Sequence, residues 1–265
     1  MTSDPLVTTR DVDDGRIRIL TLQRPEQRNP IDAATLGALH DLLVDADADD
    51  TVRAVVLTGA GDAFSAGGDL RGYVELYADE PAFRAFLERF AVVCDLLEQG
   101  DFTSAAMVNG ACVAGGLEVA LACDLVVVSE TARIGDGHLN FGQLPGAGGS
   151  QRLCRAIGLQ KAKELLLTGR LISGVQAADI GLATLAVPTA ELEDRTLDLV
   201  GATVAHSPLA LRRMKQLILR SQGPERAAAL DDEMDLVVDH ATTSHDAVEG
   251  LHAFSERRTP NWRGE

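Results

Sequence analysis

Asn109 to Asp124 reads NGACVAGGLEVALACD, and the rest of the chain is organised around it. Small residues and a glycine pair lead into an apolar, helix-like run with one acid, Glu118, just inside it. Gly115 and Gly116 lack a Cβ, so a ligand can come close to their backbone. Where they open a helix, their N–H groups have no intrahelical partner and face outward at its positive end. Such a place suits a developing negative charge, an enolate or an oxyanion. Glu118 then lies within one turn of that charge. The residues themselves point to acid–base chemistry beside an oxyanion hole.

Upstream, Ser104 to Val108 reads as the strand feeding this stretch, and Arg53 to Thr58 as another buried strand. The latter runs into Gly59-Ala60-Gly61-Asp62, which invites a dinucleotide-binding reading. That reading fails, because the third glycine of GxGxxG would fall on Phe64. Ala66-Gly67-Gly68-Asp69 is a second glycine turn, able to supply a second N–H donor, with Asp69 placed to cap a helix. Downstream, Asp124 to Val128 reads as another strand, followed by Arg133-Ile134. Gly135 to Gly142 is a loop that sets His138 beside Asp136. Pro145-Gly146-Ala147-Gly148-Gly149-Ser150 resembles a phosphate loop but lacks its lysine, and reads as the start of a helix over Gln151 to Ile157.

Further out, Leu6–Arg10 and Arg16–Leu22 form a hairpin around Asp13-Asp14-Gly15. Asp32 caps a helix whose Leu36, Leu39, Leu42 and Leu43 follow helical spacing. Pro81 to Gln99 is a helix with an aromatic and aliphatic core face. Ser173 caps a short helix ending at Gly181, and Thr184 to Val187 is a last short strand. Helices are expected over 191–205, 208–220, 225–240 and 244–258. The pattern is α/β first and all-helical last, one domain with a helical tail.

The chain has 265 residues, 46 % of them hydrophobic but only 4 % aromatic, so alanine, valine and leucine carry the packing. A net charge of −16 argues against a nucleic-acid partner, which needs a basic face, and against docking on anionic membranes. The four cysteines show no CxxC spacing and read as buried free thiols in a reducing compartment. The six histidines are scattered without metal-ligand spacing, so no metal is expected. MTSDPLVTTRDVDDG lacks the basic and apolar regions of an export signal, and no apolar run spans a membrane. A soluble, cytoplasmic protein is the expectation.

These pieces together resemble the crotonase superfamily, also called the enoyl-CoA hydratase/isomerase family, over nearly the whole chain. The resemblance rests on Arg24-Pro25 with Arg28-Asn29, on Leu57-Thr58-Gly59 through Leu70, and on Val108-Asn109-Gly110. It continues through Gly115-Gly116-Leu117-Glu118, Ala122-Cys123-Asp124, Pro145 to Leu153, Leu166 to Gly169 and the Glu249–Arg258 tail. It implies a spiral of ββα turns over about 1–200, binding the acyl-CoA. Trimerising helices follow over 201–265, giving a homotrimer or a dimer of trimers. It implies a coenzyme A thioester whose carbonyl oxygen sits between the N–H groups of Gly68 and Gly115. Coenzyme A is then part of the substrate, and no separate cofactor is needed. The carrier would run past Arg28 and the Ala66, Gly68, Asp69, Leu70 segment, with Arg28 or Arg257 meeting phosphates.

At one position the chain departs from that pattern. A typical hydratase has two glutamates. Glu118 matches the first, but the second position, seven residues before Pro145, is His138. Reversible hydration of a 2-enoyl-CoA by Glu118 and His138 is the expected reaction. His138 serves as second acid/base only when protonated, with Asp136 and Glu118 as candidate partners. One alternative is C–C hydrolysis of a β-dicarbonyl compound or β-keto-acyl-CoA by His138. In the branch that does this, an acid just after the Pro-Gly pair orients the histidine, and here that position is Ala147. A third reading is a non-catalytic acyl-CoA-binding homologue, against which the retained Glu118 argues. Tyr73, Tyr77, Phe141 and Leu144 are candidates for the acyl pocket.

Overall fold

The computed structural model describes residues 4–69, 72, 73, 76, 78–221, 244–246, 249, 253 and 256–265. The chain opens with an antiparallel pair, β1 (Val7–Val12) and β2 (Ile17–Leu22). Asp13, Asp14 and Gly15 turn between them with positive φ, as the Asp-Asp-Gly signal predicts. Helix α1 (Ala33–Ala48) starts at Asp32, whose carboxylate accepts from the Thr35 N–H at 2.8 Å.

Three ββα turns follow. The first is β3 (Ala54–Gly59), β4 (Ala63–Ser65) and α2 (Glu80–Gln99). The second is β5 (Thr103–Val108), β6 (Ala111–Val113) and α3 (Gly115–Ala122). The third is β7 (Leu125–Ser129) and β8 (Arg133–Gly135), then α4 (Gly149–Ile157) and α5 (Leu159–Thr168). Then come β9 (Ile172–Ser173), α6 (Gly174–Asp179), β10 (Leu185–Val187), α7 (Leu192–Val204) and α8 (Pro208–Arg220). The first strand of each turn joins a six-stranded sheet ordered β1-β2-β3-β5-β7-β10. The second joins a four-stranded sheet ordered β4-β6-β8-β9. This is the α/β, ββα-spiral architecture the sequence resembles.

The inner strands β3, β5 and β7 of the large sheet are nearly continuous buried runs because both faces are covered. Side chains alternate between two cores. Val55, Leu57, Ala106 and Val108 face α1 and α2, while Ala54, Val56, Ala105 and Met107 face α7. Helix α3 is buried on nearly every side, so its run Leu-Glu-Val-Ala-Leu-Ala is apolar apart from Glu118. Lys215 on α8 reaches into the core, 2.8 Å from Asp124 and 2.7 Å from the Phe102 carbonyl, and ties that helix to the end of α3.

Cys94, Cys112 and Cys123 are buried and all four thiols are free. Burial pushes the Cys94 thiol up to about 12. Among the described residues no helix is long and apolar enough to cross a membrane. The helix expected over 225–240 lies outside the described residues. Of the one expected over 244–258, His245, Asp246, Glu249, Ala253 and Glu256 have helical backbone.

Candidate active site

The spiral brings the two glycine turns into backbone contact. Gly67 has φ 96°, and a Cβ there would stand 2.8 Å from the Ala114 Cβ and 3.2 Å from the Gly115 nitrogen. Both turns follow a strand of the small sheet, and β4 pairs parallel with β6, so their ends lie together. Gly115 is the first residue of α3, and its N–H has no intrahelical acceptor. Among the described residues no acceptor stands opposite the Gly68 N–H.

Ala66, Gly68, Asp69 and Ala114 line one side of a cleft of about 740 Å³, and His138 and Phe141 line another. Tyr73 also lines it, as expected for the acyl pocket, whereas Leu144 is 76 % exposed. Tyr77 and Leu70 lie outside the described residues. Arg28 does not line the cleft. It is exposed next to Gln27, which does, and its carbonyl accepts from the Ala66 N–H at 2.9 Å. Arg24 is used internally, against Asp32, Thr35 and the Pro30 carbonyl.

Glu118 does not itself line the cleft; it is 2 % exposed and lies next to His138, which does. Its Oε1 accepts from the N–H of Ala147 and of Gly149, both at 2.8 Å. Its Oε2 faces His138 Nε2 at 3.9 Å, too far for a direct hydrogen bond. The other imidazole nitrogen, Nδ1, meets Asp136 Oδ2 at 2.9 Å, and the second oxygen of Asp136 accepts from the His138 N–H at 3.2 Å. The three side chains form a line, Asp136–His138–Glu118.

Burial pushes the Glu118 carboxyl up. The Gly149 N–H, the His138 ring and the Ala147 N–H pull it back only in part, so it stays above the usual carboxylate range. Burial alone would lower His138. The hydrogen bond and charge of Asp136, with the charge of Glu118, outweigh that and hold it above the usual histidine value. Both groups are shifted upward, and they face each other across 3.9 Å.

The sequence reading missed the group that holds Glu118. Pro145 to Ser150 is more than a helix start, because its backbone donors fix one oxygen of the acid. Gly149 is needed there, since a Cβ would lie 2.9 Å from Glu118 Cγ. The loop is backed by Arg152, which donates to the Ala147 carbonyl at 2.6 Å and forks onto both oxygens of Glu98 at 2.7 and 2.8 Å. A glycine three residues after a Pro-Gly pair carries no such signal by itself. Position 147 offers the histidine no acid; its Nδ1 is met instead by Asp136, two residues before it. Among the described residues no three His, Cys, Asp or Glu side chains are grouped to hold a metal ion.

Residues 13–265 match the family profile of the enoyl-CoA hydratase/isomerase proteins. The 2,3-dehydroadipyl-CoA hydratase of Escherichia coli K12 is 36 % identical over 94 % of this chain and 96 % of its own. The crystal structure of an enoyl-CoA hydratase from Bacillus anthracis superposes with a TM-score of 0.92 at 32 % identity, covering 98 % of this chain and 100 % of that one. Pseudomonas aeruginosa DspI gives 0.90 at 31 %, covering 99 % and 98 %.

Proposed function

The chain belongs to the enoyl-CoA hydratase/isomerase family, and from that premise we propose that it adds water reversibly across the C2=C3 bond of a 2-enoyl-CoA. One observation carries the reading: the free Oε2 of Glu118 faces Nε2 of an Asp136-held His138 at 3.9 Å, beside two glycine turns in backbone contact. A water can sit about 2.8 Å from both atoms at that separation. Glu118, ionised, takes one proton from this water as its oxygen bonds to C3. The C2=C3 electron pair moves onto the thioester oxygen, between the Gly68 and Gly115 N–H groups. The enolate then collapses, and C2 takes the proton from His138 Nε2. Glu118 returns its proton to His138 through the next water, which resets the pair. Ala66 and Asp69 run along the thioester arm, and Arg28, exposed beside the cleft, meets the carrier phosphates. Coenzyme A belongs to the substrate, and the active protein is a homotrimer or a dimer of trimers.

The Asp136–His138 pair specifically favours a second reading. An aspartate on Nδ1 leaves Nε2 as a base, which suits activating water for C–C hydrolysis of a β-dicarbonyl compound. The two reactions need opposite states of the same ring. Hydration needs Glu118 ionised and His138 protonated, so its rate falls on the acid side with Glu118 and on the alkaline side with His138. Hydrolysis needs neutral His138 and rises with pH through that same alkaline range. Loss of conjugated-thioester absorbance from short and medium trans-2-enoyl-CoA, followed across pH, tests this. A bell whose limbs lie above the ordinary carboxylate and histidine values is expected. No hydration at any pH, with cleavage of a β-keto-acyl-CoA rising with pH, overturns it.

A further inference from the structure

Three aromatic rings form a ladder whose two ends press on the two glycines assigned to the thioester oxygen. Tyr73 meets Phe86 edge-on, centroids 5.7 Å apart and planes at 70°. Phe86 meets Phe90 in the same way, at 6.1 Å and 79°. Phe86 and Phe90 are one helical turn apart on α2 and are 6 % and 2 % exposed. At one end, the Tyr73 phenol fills the space a side chain would take on Gly68, its hydroxyl oxygen nearest to a Cβ built there and the ring carbons Cζ and Cε2 next. At the other end, Phe90 does the same for Gly115, with ring carbons 3.2 and 3.3 Å from a built Cβ.

We propose that this ladder is a positioning element that sets the spacing and direction of the Gly68 and Gly115 N–H donors, and so the polarisation of the thioester carbonyl. The inference rests on the oxyanion reading given above. Its physical basis is that Gly68 and Gly115 belong to different turns of the spiral, with no side chain of their own to lock them. Edge-to-face contacts between rings are directional, unlike generic apolar packing. A stack of three therefore transmits the position of α2 to both donors at once. Phe86 is the informative member. It contacts both outer rings and is the one ring of the three not packed against a donor glycine. It is therefore a positioning residue, and its removal reaches the donors through Tyr73 and Phe90.

The test uses Phe86→Leu, with the nearly volume-conserving Phe86→Met beside it. The control is Phe102→Leu, a buried ring packed instead on Gly100 and Lys215. Three quantities are read for each: kcat and KM on a trans-2-enoyl-CoA, the thermal midpoint, and the infrared carbonyl stretch of a bound saturated acyl-CoA labelled with 13C at the thioester. The saturated thioester cannot be hydrated, so the stretch reports polarisation alone. Expected for both Phe86 variants is a kcat loss of about 10- to 100-fold with KM within about twofold, and a smaller binding-induced downshift. The control loses comparable thermal stability but keeps kcat and the downshift. Phe86 variants that lose stability yet keep both overturn the ladder while leaving the oxyanion reading intact. A wild-type protein that binds the thioester without shifting its carbonyl overturns both.

Discussion

The glycine turns at 67–68 and 115–116 and the Glu118–His138 pair lie side by side but are held by different physics. The turns are defined by what is missing. Gly67 lets Ala114 approach, and the rings of Tyr73 and Phe90 occupy the places where side chains would be. Nothing in them titrates, so their geometry is independent of pH. The pair is defined by what is present: a carboxyl pushed up by burial and restrained by two backbone donors, and an imidazole pushed down by burial and raised by Asp136. The first half is set by sterics and changes only if atoms move. The second is a balance of opposing terms, and single groups tip it.

Three substitutions test that contrast. The largest effect is expected for Glu118→Gln, with turnover lost on the order of 10³-fold. Because the folded value of Glu118 is raised, its ionised form costs stability. The variant should therefore match or exceed the wild-type thermal midpoint at neutral pH. That advantage should vanish below the ordinary carboxylate range, where the wild-type carboxyl is protonated both folded and unfolded. Turnover within tenfold of wild type would remove Glu118 from the chemistry. Next comes Gly149→Ala, whose Cβ would lie 2.9 Å from Glu118 Cγ. It applies the steric logic of the first half to the second. A loss of about 10²-fold is expected. The acid limb should move to higher pH, since the backbone donors that pull Glu118 down are disturbed. An unmoved acid limb would mean that these donors do not set the acid. The smallest effect is expected for Asp136→Asn. Burial of His138 then goes unopposed by Asp136, its value falls, and the alkaline limb of hydration moves to lower pH. Turnover near pH 8 drops roughly tenfold, and the acid limb moves slightly to lower pH because the Asp136 charge no longer raises Glu118. A rate that rises there instead would favour neutral His138 as base.

Much of the steric half was legible. Gly115-Gly116 does open a helix, Ala66-Gly67-Gly68 is the second turn, and both were found from glycine spacing alone. The long apolar strands and the capped helices at Asp32 and Ser173 were legible too, because burial on both faces and capping leave local signals. The small sheet was not. Strands β4 and β6 are three residues each and sit inside glycine-rich stretches, too short for a two-residue period to register. The electrostatic half was legible as composition but not as geometry. Asp136 and Glu118 were the candidate partners of His138, and the structure places them on opposite ring nitrogens. That the grip on Glu118 comes from backbone at 147 and 149 has no side-chain signature. The Glu98–Arg152 fork joins residues 54 apart in sequence, beyond any local pattern.

Ala114 precedes the whole of α3 with φ 51° and ψ −119°, a conformation that tight turns ordinarily reserve for glycine. A residue with a Cβ gives up about 1–3 kcal/mol to stay there. It is held by its N–H on the Gly135 carbonyl at 3.2 Å and by its own carbonyl, which accepts from Glu118 at 3.0 Å. That free energy is spent when the chain folds, before any ligand arrives. The donors at this corner are therefore pre-organised in the free protein, and binding has no reorganisation left to drive there.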